Sequence, residues 1–417
     1  MQSHIDADQQ ELTDQIGNII LSMLSNDIGK MSDDKFVDSV VREVKEITLV
    51  QVGHLYDCDA ESLVDSSIAD AMAIVTEMFI PKRSFRNTFT KGSPDVGIIS
   101  KAIQDLRARP QPDQRTPAWY RFRHDLITAS NAWKAFGTQA SINQLIHEKC
   151  QPLNVDKYSS VNTETPMHWG QKYEDVSIMY YEIMYNTRVE DFGCMADPQH
   201  PFIGASPDGI NVDPESSRYG RMLEIKNPTT RTITGIPKSE YWIQMQMQMG
   251  VCGLHECDFL ETSFKEYETN EEADADGSFS ETEDGKMKGV IMYFLHEAKP
   301  LYEYAPLNIS REEFEIWESK QMEKHANDTW VRNYYWKLEK VSCVLVEFNK
   351  VWFDYAVPIL KNVWETVETE RVTGYGHRAA KRKKKAVSGE AAPPEEGSCC
   401  MIDVKKLQEH PVYELEA

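Results

Sequence analysis

Two short motifs hold the residues that are best suited to chemistry. The first is Ser206-Pro-Asp-Gly209, and the second is Leu223-Glu-Ile-Lys226 on the next apolar segment. Glu224 and Lys226 are two positions apart on a predicted strand, so both side chains leave the same face of it. Asp208 lies at the turn before that strand and can point to the same place. The motifs therefore predict a β-hairpin that brings two carboxylates and a lysine together.

These residue types suit metal-dependent hydrolysis of a phosphodiester bond. Carboxylate oxygens are hard ligands that Mg²⁺ or Mn²⁺ prefers, and such ions activate water and neutralise charge on a leaving oxygen. A lysine beside the metal, here Lys226, can orient that water or stabilise the pentacovalent phosphate. The alternative is a plain reverse turn at residues 207–209 and a solvated strand edge. Each motif alone favours that alternative, and the two together favour the metal site.

Two upstream segments are predicted to bring further polar groups to the hairpin. Residues 169–174 open an amphipathic helix on which Glu174 faces the sheet. Arg123 and Ser130 precede a second apolar helix, Ala132 to Ile146, for which Ser130 is a suitable N-cap. A guanidinium, a hydroxyl and backbone N–H groups in one place suit a bound phosphate.

A downstream segment alternates polar and apolar residues from Tyr241 to Gly250. The alternation imitates a strand, but Pro237 before it, Gly250 at its end and the helix-forming Gln and Met residues predict a helix. Met245, Met247 and Met249 are expected to pack in the core rather than to serve a site.

The chain resembles the lambda-exonuclease-like, YqaJ-type viral recombinases of the PD-(D/E)xK nuclease superfamily. The resemblance covers about residues 115–300 and rests on five motifs in a fixed order, namely Arg-x6-Ser at Arg123 and Ser130, Trp-Gly-x-x-Tyr-Glu at Trp169 to Glu174, Ser-Pro-Asp-Gly at Ser206 to Gly209, Glu-x-Lys at Glu224 to Lys226 and Tyr-x-x-Gln-x-Gln at Tyr241 to Gln246. It implies an α/β fold with a PD-(D/E)xK restriction-endonuclease-like core, a mixed sheet flanked by helices. Helical extensions are expected at both ends.

Carried over residue by residue, the resemblance implies a metal site. Glu174, Asp208 and Glu224 are implied to bind Mg²⁺ or Mn²⁺, with the carbonyl of Ile225 as a further ligand. Lys226 is implied to be the catalytic lysine.

The resemblance also implies a phosphate pocket. Arg123, Ser130 and Ser206 are implied to hold a phosphate, as the pocket for a 5′ end does in the family's processive exonucleases. Gln244 matches the family glutamine that supports the active site. The acidic insertion and both extensions depart from the compact phage enzymes, which leaves subunit number and processivity open.

Composition adds limits and one conflict. The 417 residues suffice for one large α/β domain with accessory helices. The formal net charge of −22 conflicts with DNA binding, which relies on Lys and Arg. However, ten acidic residues and one lysine fall between Glu261 and Asp284, a segment predicted to be a flexible surface loop. A basic run from Arg378 to Lys385 suits a nuclear-import signal, a nonspecific DNA arm or a solvated tail equally.

The predicted organisation is a helical accessory region (1–85), a linker (86–117), a nuclease core (118–300) with an acidic insertion (about 262–287), a C-terminal helical region (301–373) and a disordered tail (374–417). No apolar run approaches the roughly 18 to 20 residues that span a bilayer, and the eight cysteines form no regular framework. We therefore expect a soluble intracellular protein without a membrane partner, in the host nucleus or at a cytoplasmic replication site.

The preferred function is a Mg²⁺-dependent deoxyribonuclease, acting as a 5′-to-3′ exonuclease on double-stranded DNA in viral recombination or genome processing. An endonuclease on the same scaffold is the second possibility, because the active site alone does not separate the two. A catalytically silent DNA-binding or assembly factor is the third. A single-strand annealing protein and further copies of the chain are possible partners.

Overall fold

The computed structural model describes residues 2–26, 36–52, 60–78, 95–112, 114, 116–154, 163, 165–297 and 299–379. The first elements are three helices, namely α1 (Gln2–Asn26), α2 (Phe36–Val52) and α3 (Ala60–Met78). They pack against one another and bury aliphatic side chains that include Ile16, Val44 and Val64. The helical character predicted for this region is confirmed. Among the described residues, no helix is long and apolar enough to cross a membrane.

Two further helices precede the core, α4 (Val96–Ala108) and α5 (Pro117–His124). The Asp95 carboxylate caps α4, and the Thr116 hydroxyl caps α5 by accepting from the Trp119 N–H at 3.2 Å. The helix α4 lies within the predicted linker, while residues 79–94 lie outside the described part of the chain.

The predicted helix from Ala132 to Ile146 is divided, and the N-cap prediction for Ser130 is wrong. The chain forms α6 (Ala129–Ala132), a 3-10 turn (Trp133–Phe136) and then α7 (Gln139–Cys150). Gly137 is extended between the last two, and Thr138 caps α7 by accepting from the Ser141 N–H at 3.4 Å. Because Ser130 lies inside α6, its hydroxyl is left to contact other side chains.

The helix α8 (Pro166–Tyr185) carries Glu174 and begins three residues before the predicted start. Thr165 caps it, and Pro166 occupies its first position, where a missing N–H costs nothing. The chain leaves the helix at Asn186, which adopts the left-handed conformation with φ 45°.

Short strands follow and form the hairpin that was predicted. They are β1 (Ile127–Thr128) from the preceding segment, β2 (Val189–Glu190), β3 (Met195–Ala196), β4 (Ile203–Ala205), β5 (Gly209–Asn211) and β6 (Met222–Lys226). Strands β5 and β6 pair antiparallel, with Gly209 opposite Leu223. The segment predicted to be helical despite its alternation is α9 (Ser239–Cys252), and all three of its methionines are fully buried.

The sheet is completed by strands that lie later in the chain. They are β7 (Glu256–Glu266), β8 (Lys288–His296), β9 (Lys299–Tyr304) and β10 (Thr329–Glu347). The seven-stranded order is β2-β5-β6-β7-β10-β8-β9, with β6 and β7 parallel, and a second sheet has the order β1-β4-β3. The prediction of a mixed sheet flanked by helices is confirmed.

The prediction of a core that ends at residue 300, followed only by helices, is wrong. Strand β10 pairs with both β7 and β8, so residues after 300 fill the middle of the sheet. Its many aromatic and β-branched residues favour a pleated, half-buried strand. The helices around it are α11 (Arg311–Lys324), which begins with a Ser310–Glu313 capping box, and α12 (Lys350–Thr373).

The acidic insertion is folded, contrary to the flexible loop that was predicted. It contains α10 (Asn270–Ala275) and a turn, and both are held by the buried ammonium of Lys288. This ammonium donates to the carbonyls of Asp276 and Ser278 at 2.7 Å each, and to that of Ala273. Because a buried cation requires such partners, Lys288 organises a segment whose own composition is polar.

The C-terminal tail is ordered slightly beyond Gly374, where disorder was predicted to begin. Residues Gly376–Arg378 form a 3-10 turn, and Arg378 makes an ion pair with Glu370 at 2.6 Å. The rest of the basic run lies in residues 380–417, outside the described part of the chain.

Helices α8 and α9 cover opposite faces of the sheet near β6. Leu223 and Ile225 point toward α8 and pack with Tyr181 and Ile178. Glu224, between them, contacts α9 instead. Since side chains alternate along a strand, this arrangement gives one face of β6 to the core and the other to polar groups.

Candidate active site

Asp208 lies just before the first residue of β5, and its side chain rather than a β5 backbone group contacts the backbone of β6. Gly209 is opposite Leu223, so the next position of β6 that faces β5 is Ile225. The Ile225 N–H donates to the Asp208 Oδ2 at 2.7 Å instead of to a backbone carbonyl of a neighbouring strand. The N–H and C=O of one strand residue point to the same side, so the Ile225 carbonyl also faces this edge.

Glu224 is fully buried, and both of its carboxylate oxygens have partners. One oxygen forms an ion pair with the Lys226 ammonium. The other accepts from the Gln248 Nε2 at 2.7 Å, and the same amide also lies 3.2 Å from the carbonyl oxygen of Ser206. The hairpin and α9 therefore meet at one carboxylate.

Like charges crowd this place. Removal from water raises the pKa of Asp208 well above its usual range, and the negative charges of Glu224 and Glu174 add to that effect, while Lys226 opposes it. Burial lowers the pKa of Lys226, but Glu224 and Asp208 outweigh burial and raise it above its ordinary value. The crowding favours the neutral form of Asp208, so a cation bound beside Asp208 and Glu224 would stabilise the ionised form.

Glu174 acts on this place from α8 rather than from the hairpin. It is half-buried, and its charge is felt by both Asp208 and Tyr304. Within the part of the chain that the structure describes, no three Asp, Glu, His or Cys side chains form a ready cluster for a metal ion. Asp208 and Glu224 are brought together, while Glu174 as a metal ligand stays a prediction.

The donors at this edge fit a hard divalent cation. Asp208 and Glu224 supply carboxylate oxygens, and Ile225 supplies a carbonyl, all oxygen ligands of the kind that Mg²⁺ and Mn²⁺ bind. The crowding of carboxylates described above favours the same class of ion. The role of each residue as a ligand stays a prediction.

Gln248 is the residue that sequence reasoning missed. The resemblance pointed to Gln244, which lies one helical turn earlier and is half-buried. Residues four apart share a helix face, so the repeated glutamines at 244 and 248 were the available signal. Gln246 lies on another face, where it bonds the Glu347 carbonyl at 2.9 Å and the Asn349 N–H at 2.7 Å.

A second polar group surrounds Arg123 at the end of α5. Its Nη2 lies 3.3 Å from the Ser130 hydroxyl, and its guanidinium stacks on the Trp119 ring at 4.3 Å. Ser130 also lies 3.2 Å from the hydroxyl of Thr128. Burial raises the pKa of the Cys194 thiol, while Arg123, which hydrogen bonds to it, opposes that shift. The structure therefore brings together Arg123 and Ser130, as predicted.

Ser206 lies between the two groups. Its hydroxyl donates to the Phe192 carbonyl at 3.4 Å, two residues before the thiol of Cys194 that contacts Arg123. Its own carbonyl accepts from Gln248, which holds Glu224. Ser206 thus connects the cationic group to the carboxylates, and its role as a phosphate ligand stays a prediction.

A buried clamp fixes α8 beside the end of β6. The Asn227 side chain donates to the Gly170 carbonyl at 3.0 Å and accepts from the Ser177 hydroxyl at 2.9 Å. Thr262 on β7 also hydrogen bonds to Asn227 and lies 2.8 Å from the Ser177 hydroxyl. The clamp joins the residue after Lys226 to the helix that carries Glu174.

A further ion pair, between Arg231 and Glu261, lies beside Lys226. The ring of Tyr241 lies 5.1 Å from the Lys226 ammonium and 5.6 Å from the Arg231 guanidinium. Arg231 forms an ion pair at 2.5 Å with Glu261, a fully buried residue that is the neighbour of Lys226 on β7. Two cations and an aromatic ring therefore border the carboxylates.

Comparisons with known proteins agree with this location. Residues 118–255, which contain Arg123, Glu174, Asp208, Glu224 and Gln248, match the model of the YqaJ-like viral recombinase domain. An uncharacterised protein of Acanthamoeba polyphaga mimivirus is 29% identical over 305 residues, which are 63% of this chain and 54% of that protein. The chain thus spans about half the length of this curated relative.

Among solved structures, the chain resembles the crystal structure of an alkaline exonuclease from Laribacter hongkongensis. The TM-score is 0.37 and the sequence identity 20%, over 61% of this chain and 94% of that chain. The complex of that exonuclease with dAMP gives the same values. The match of residues 118–255 to the YqaJ-like viral recombinase domain agrees with the resemblance predicted from the five motifs.

Proposed function

We propose that this chain is a divalent-metal-dependent deoxyribonuclease that hydrolyses phosphodiester bonds of double-stranded DNA. We propose further that it degrades DNA from the 5′ end in viral recombination or genome processing. One observation carries the proposal. The carboxylates of Asp208 and Glu224, the Ile225 carbonyl edge and the Lys226 ammonium meet on one hairpin inside the matched domain.

Each of these residues has a distinct task in the proposed reaction. Asp208, Glu224 and the Ile225 carbonyl would hold Mg²⁺ or Mn²⁺. When bound, the cation supplies Lewis-acid stabilisation of charge on the phosphate. Lys226 lies beside Glu224, where its ammonium can orient the attacking water and stabilise negative charge on the phosphate.

Gln248 has a positioning task. By donating to Glu224 and to the Ser206 carbonyl, it fixes the carboxylate relative to the loop before Asp208. A carboxylate held in this way keeps its orientation when Lys226 moves, and groups that hold a metal ligand from behind tune the ligand itself.

The proposed 5′ polarity rests on the cationic group. Arg123 and Ser130 present a guanidinium and a hydroxyl, and Ser206, which bonds the Phe192 carbonyl two residues before Cys194, is connected to the catalytic carboxylates through Gln248. Such donors suit a phosphate, and a guanidinium can bind one in a bidentate manner. A terminal phosphate held there would position a DNA end beside the carboxylates.

The test compares linear and circular DNA. Linear duplex with labelled 5′-phosphate ends and the same sequence in a closed circle are incubated with the full chain and Mg²⁺, or with EDTA. We expect mononucleotides from the 5′ ends of the linear DNA only, and none with EDTA. Cleavage of the circle would favour an endonuclease, and metal-independent binding without cleavage would favour a silent DNA-binding factor.

Two variants assign the activity to this site. Asp208→Asn should abolish cleavage, because it removes a carboxylate from the proposed metal ligands. Asp213→Asn is the matched control, since Asp213 lies on the same hairpin and only accepts a turn hydrogen bond from the Glu215 N–H. An Asp208→Asn protein that cuts at the wild-type rate would refute the assignment.

A further inference from the structure

Lys149 is a buried cation that is only partly compensated. It lies on α7 with 6% of its surface exposed. Its ammonium donates to the Arg123 carbonyl at 2.7 Å, and among the described residues no carboxylate lies within ion-pair distance of it. A buried ammonium with a single neutral acceptor is costly, because burial removes the water that would solvate its other N–H groups.

The other buried lysines show what full compensation looks like in this chain. Lys134 forms an ion pair with Glu148 at 2.7 Å, and Lys172 forms one with Glu266. Lys288 donates to three carbonyls. Lys149 alone among the four buried lysines of the described chain has one carbonyl acceptor and no ion pair, because the adjacent Glu148 carboxylate is paired with Lys134. Its charge is therefore available for an anion from outside.

The surroundings of Lys149 are positive. Burial and then the charge of Arg123 lower the pKa of Lys149 to about 8, Arg371 acts in the same direction, and the carboxylate of Glu148 opposes them. Arg371 is on α12, where it donates to the carbonyls of Lys149 at 3.0 Å and His124 at 3.1 Å. The Cys194 thiol senses both Arg123 and Lys149, so these two cations lie close to the same point.

We propose that Lys149 is a specificity-determining residue of the phosphate pocket, which adds a second positive charge to that of Arg123 and so selects a dianionic terminal phosphate. A terminal phosphate carries a charge near −2 at neutral pH because its second pKa is about 6. A phosphodiester inside the chain carries one charge. The buried Lys149 and the half-buried Arg123 together therefore match the end of a DNA strand better than its interior. This inference rests on the proposed function of the Arg123 group.

A simpler role for Lys149 is helix capping. Its bond to the Arg123 carbonyl lies at the last turn of α5, where a cation is favourable for any helix. In that case Lys149 would only position Arg123, and its loss would weaken binding to every charged end equally. The number of charges on the ligand separates the two roles.

The experiment measures binding of a DNA hairpin with one blunt end, in EDTA, to the full chain by fluorescence anisotropy. The 5′ end carries a phosphate, its monoanionic methyl ester or a hydroxyl. The wild type should bind the phosphate at least about tenfold more tightly than the methyl ester, the gain expected from one charge-assisted hydrogen bond. Lys149→Gln should remove that ratio and keep the ratio between methyl ester and hydroxyl.

Lys134→Gln is the matched control, because Lys134 is equally buried but paired with Glu148. It should leave both ratios unchanged. The proposal is overturned if Lys149→Gln keeps the phosphate-to-ester ratio or lowers only the ester-to-hydroxyl ratio. If Lys149→Gln does not fold, Lys149→Met takes its place: loss of the phosphate-to-ester ratio in that variant supports the proposal, and a wild-type ratio near one or a kept ratio in Lys149→Met overturns it.

Failure of this inference is distinguishable from failure of the proposed function. The same wild-type preparation is incubated with the 5′-phosphate hairpin and Mg²⁺. Cleavage without the phosphate-to-ester preference leaves the nuclease proposal intact and rejects the role of Lys149. A phosphate-to-ester preference without cleavage rejects the nuclease proposal and leaves the proposed role of Lys149 intact.

Discussion

The carboxylate site and the cationic pocket are two buried polar groups of opposite sign. At the first, Asp208, Glu224 and Glu174 outnumber Lys226. At the second, the cations Arg123, Lys149 and Arg371 outnumber two carboxylates, the exposed Asp125, which pairs with Arg371, and Glu148, which pairs with Lys134. A net charge of −22 therefore says little about binding, because local excess rather than total charge decides which ion each place attracts.

The two groups also differ in how the chain assembles them. The carboxylates come from one hairpin, so local pairing of β5 with β6 places them. The cations come from α5, α7 and α12, which are far apart in sequence. Residues 192–206 connect the two groups through Phe192, Ser206 and Gln248. Substitutions at the carboxylate site should therefore affect hydrolysis, and substitutions in the cationic pocket should affect which DNA end is bound.

The largest expected effect separates chemistry from binding. Lys226→Ala should lower kcat by about a thousandfold, the upper range for loss of one charge-stabilising donor. The same change frees Glu224 from its ion pair, so calorimetry with Mn²⁺ should show metal affinity that is kept or increased. Lys340→Ala, a half-exposed lysine that bonds the Ile233 carbonyl, is the control. Near wild-type turnover by Lys226→Ala would remove Lys226 from the mechanism.

The second prediction tests the glutamine that links the two groups. Gln248→Ala should lower kcat/KM by about ten- to a hundredfold, because the buried Glu224 oxygen loses its donor. Gln244→Ala, one turn earlier, should have the smaller effect if Gln248 holds the carboxylate. Steady-state rates on 5′-phosphorylated duplex compare the two variants. The reverse order would return the supporting role to Gln244.

The third prediction concerns the cationic pocket alone. Arg123→Ala should reduce the preference for 5′-phosphate over 5′-hydroxyl ends by about tenfold, since a guanidinium bond to phosphate is lost. Metal affinity should not change, because Arg123 contacts Trp119, Ser130 and Cys194, none of which is a proposed metal ligand. The ratio of rates on the two substrates measures the effect. An unchanged ratio would argue against a phosphate pocket at Arg123.

The smallest expected effect concerns stability against pH. The folded pKa of Lys149, about 8, lies below the ordinary value of 10.5. Between these values the unfolded state binds more protons, so the free energy of unfolding of the wild type should increase as pH rises from 8 to 10.5, by roughly 3 kcal/mol in all. Lys149→Met should lack this component in urea unfolding curves, compared with Lys134→Met. Parallel curves for wild type and Lys149→Met would show that Lys149 is not strained by its cationic neighbours, Arg123 and Arg371.

The sequence by itself determined the local parts of this protein. Alternation along β6 placed Glu224 and Lys226 on one face, and the periodicity around Glu174 predicted α8, because both depend on contacts a few residues apart. Only the tertiary structure decided which distant groups meet. Gln248 rather than Gln244 contacts Glu224, β10 enters the middle of the sheet, and Lys149 lies beside Arg123 without an anion. These outcomes depend on how separate elements pack, and the burial that gives Lys149 and Glu224 their properties exists only after that packing.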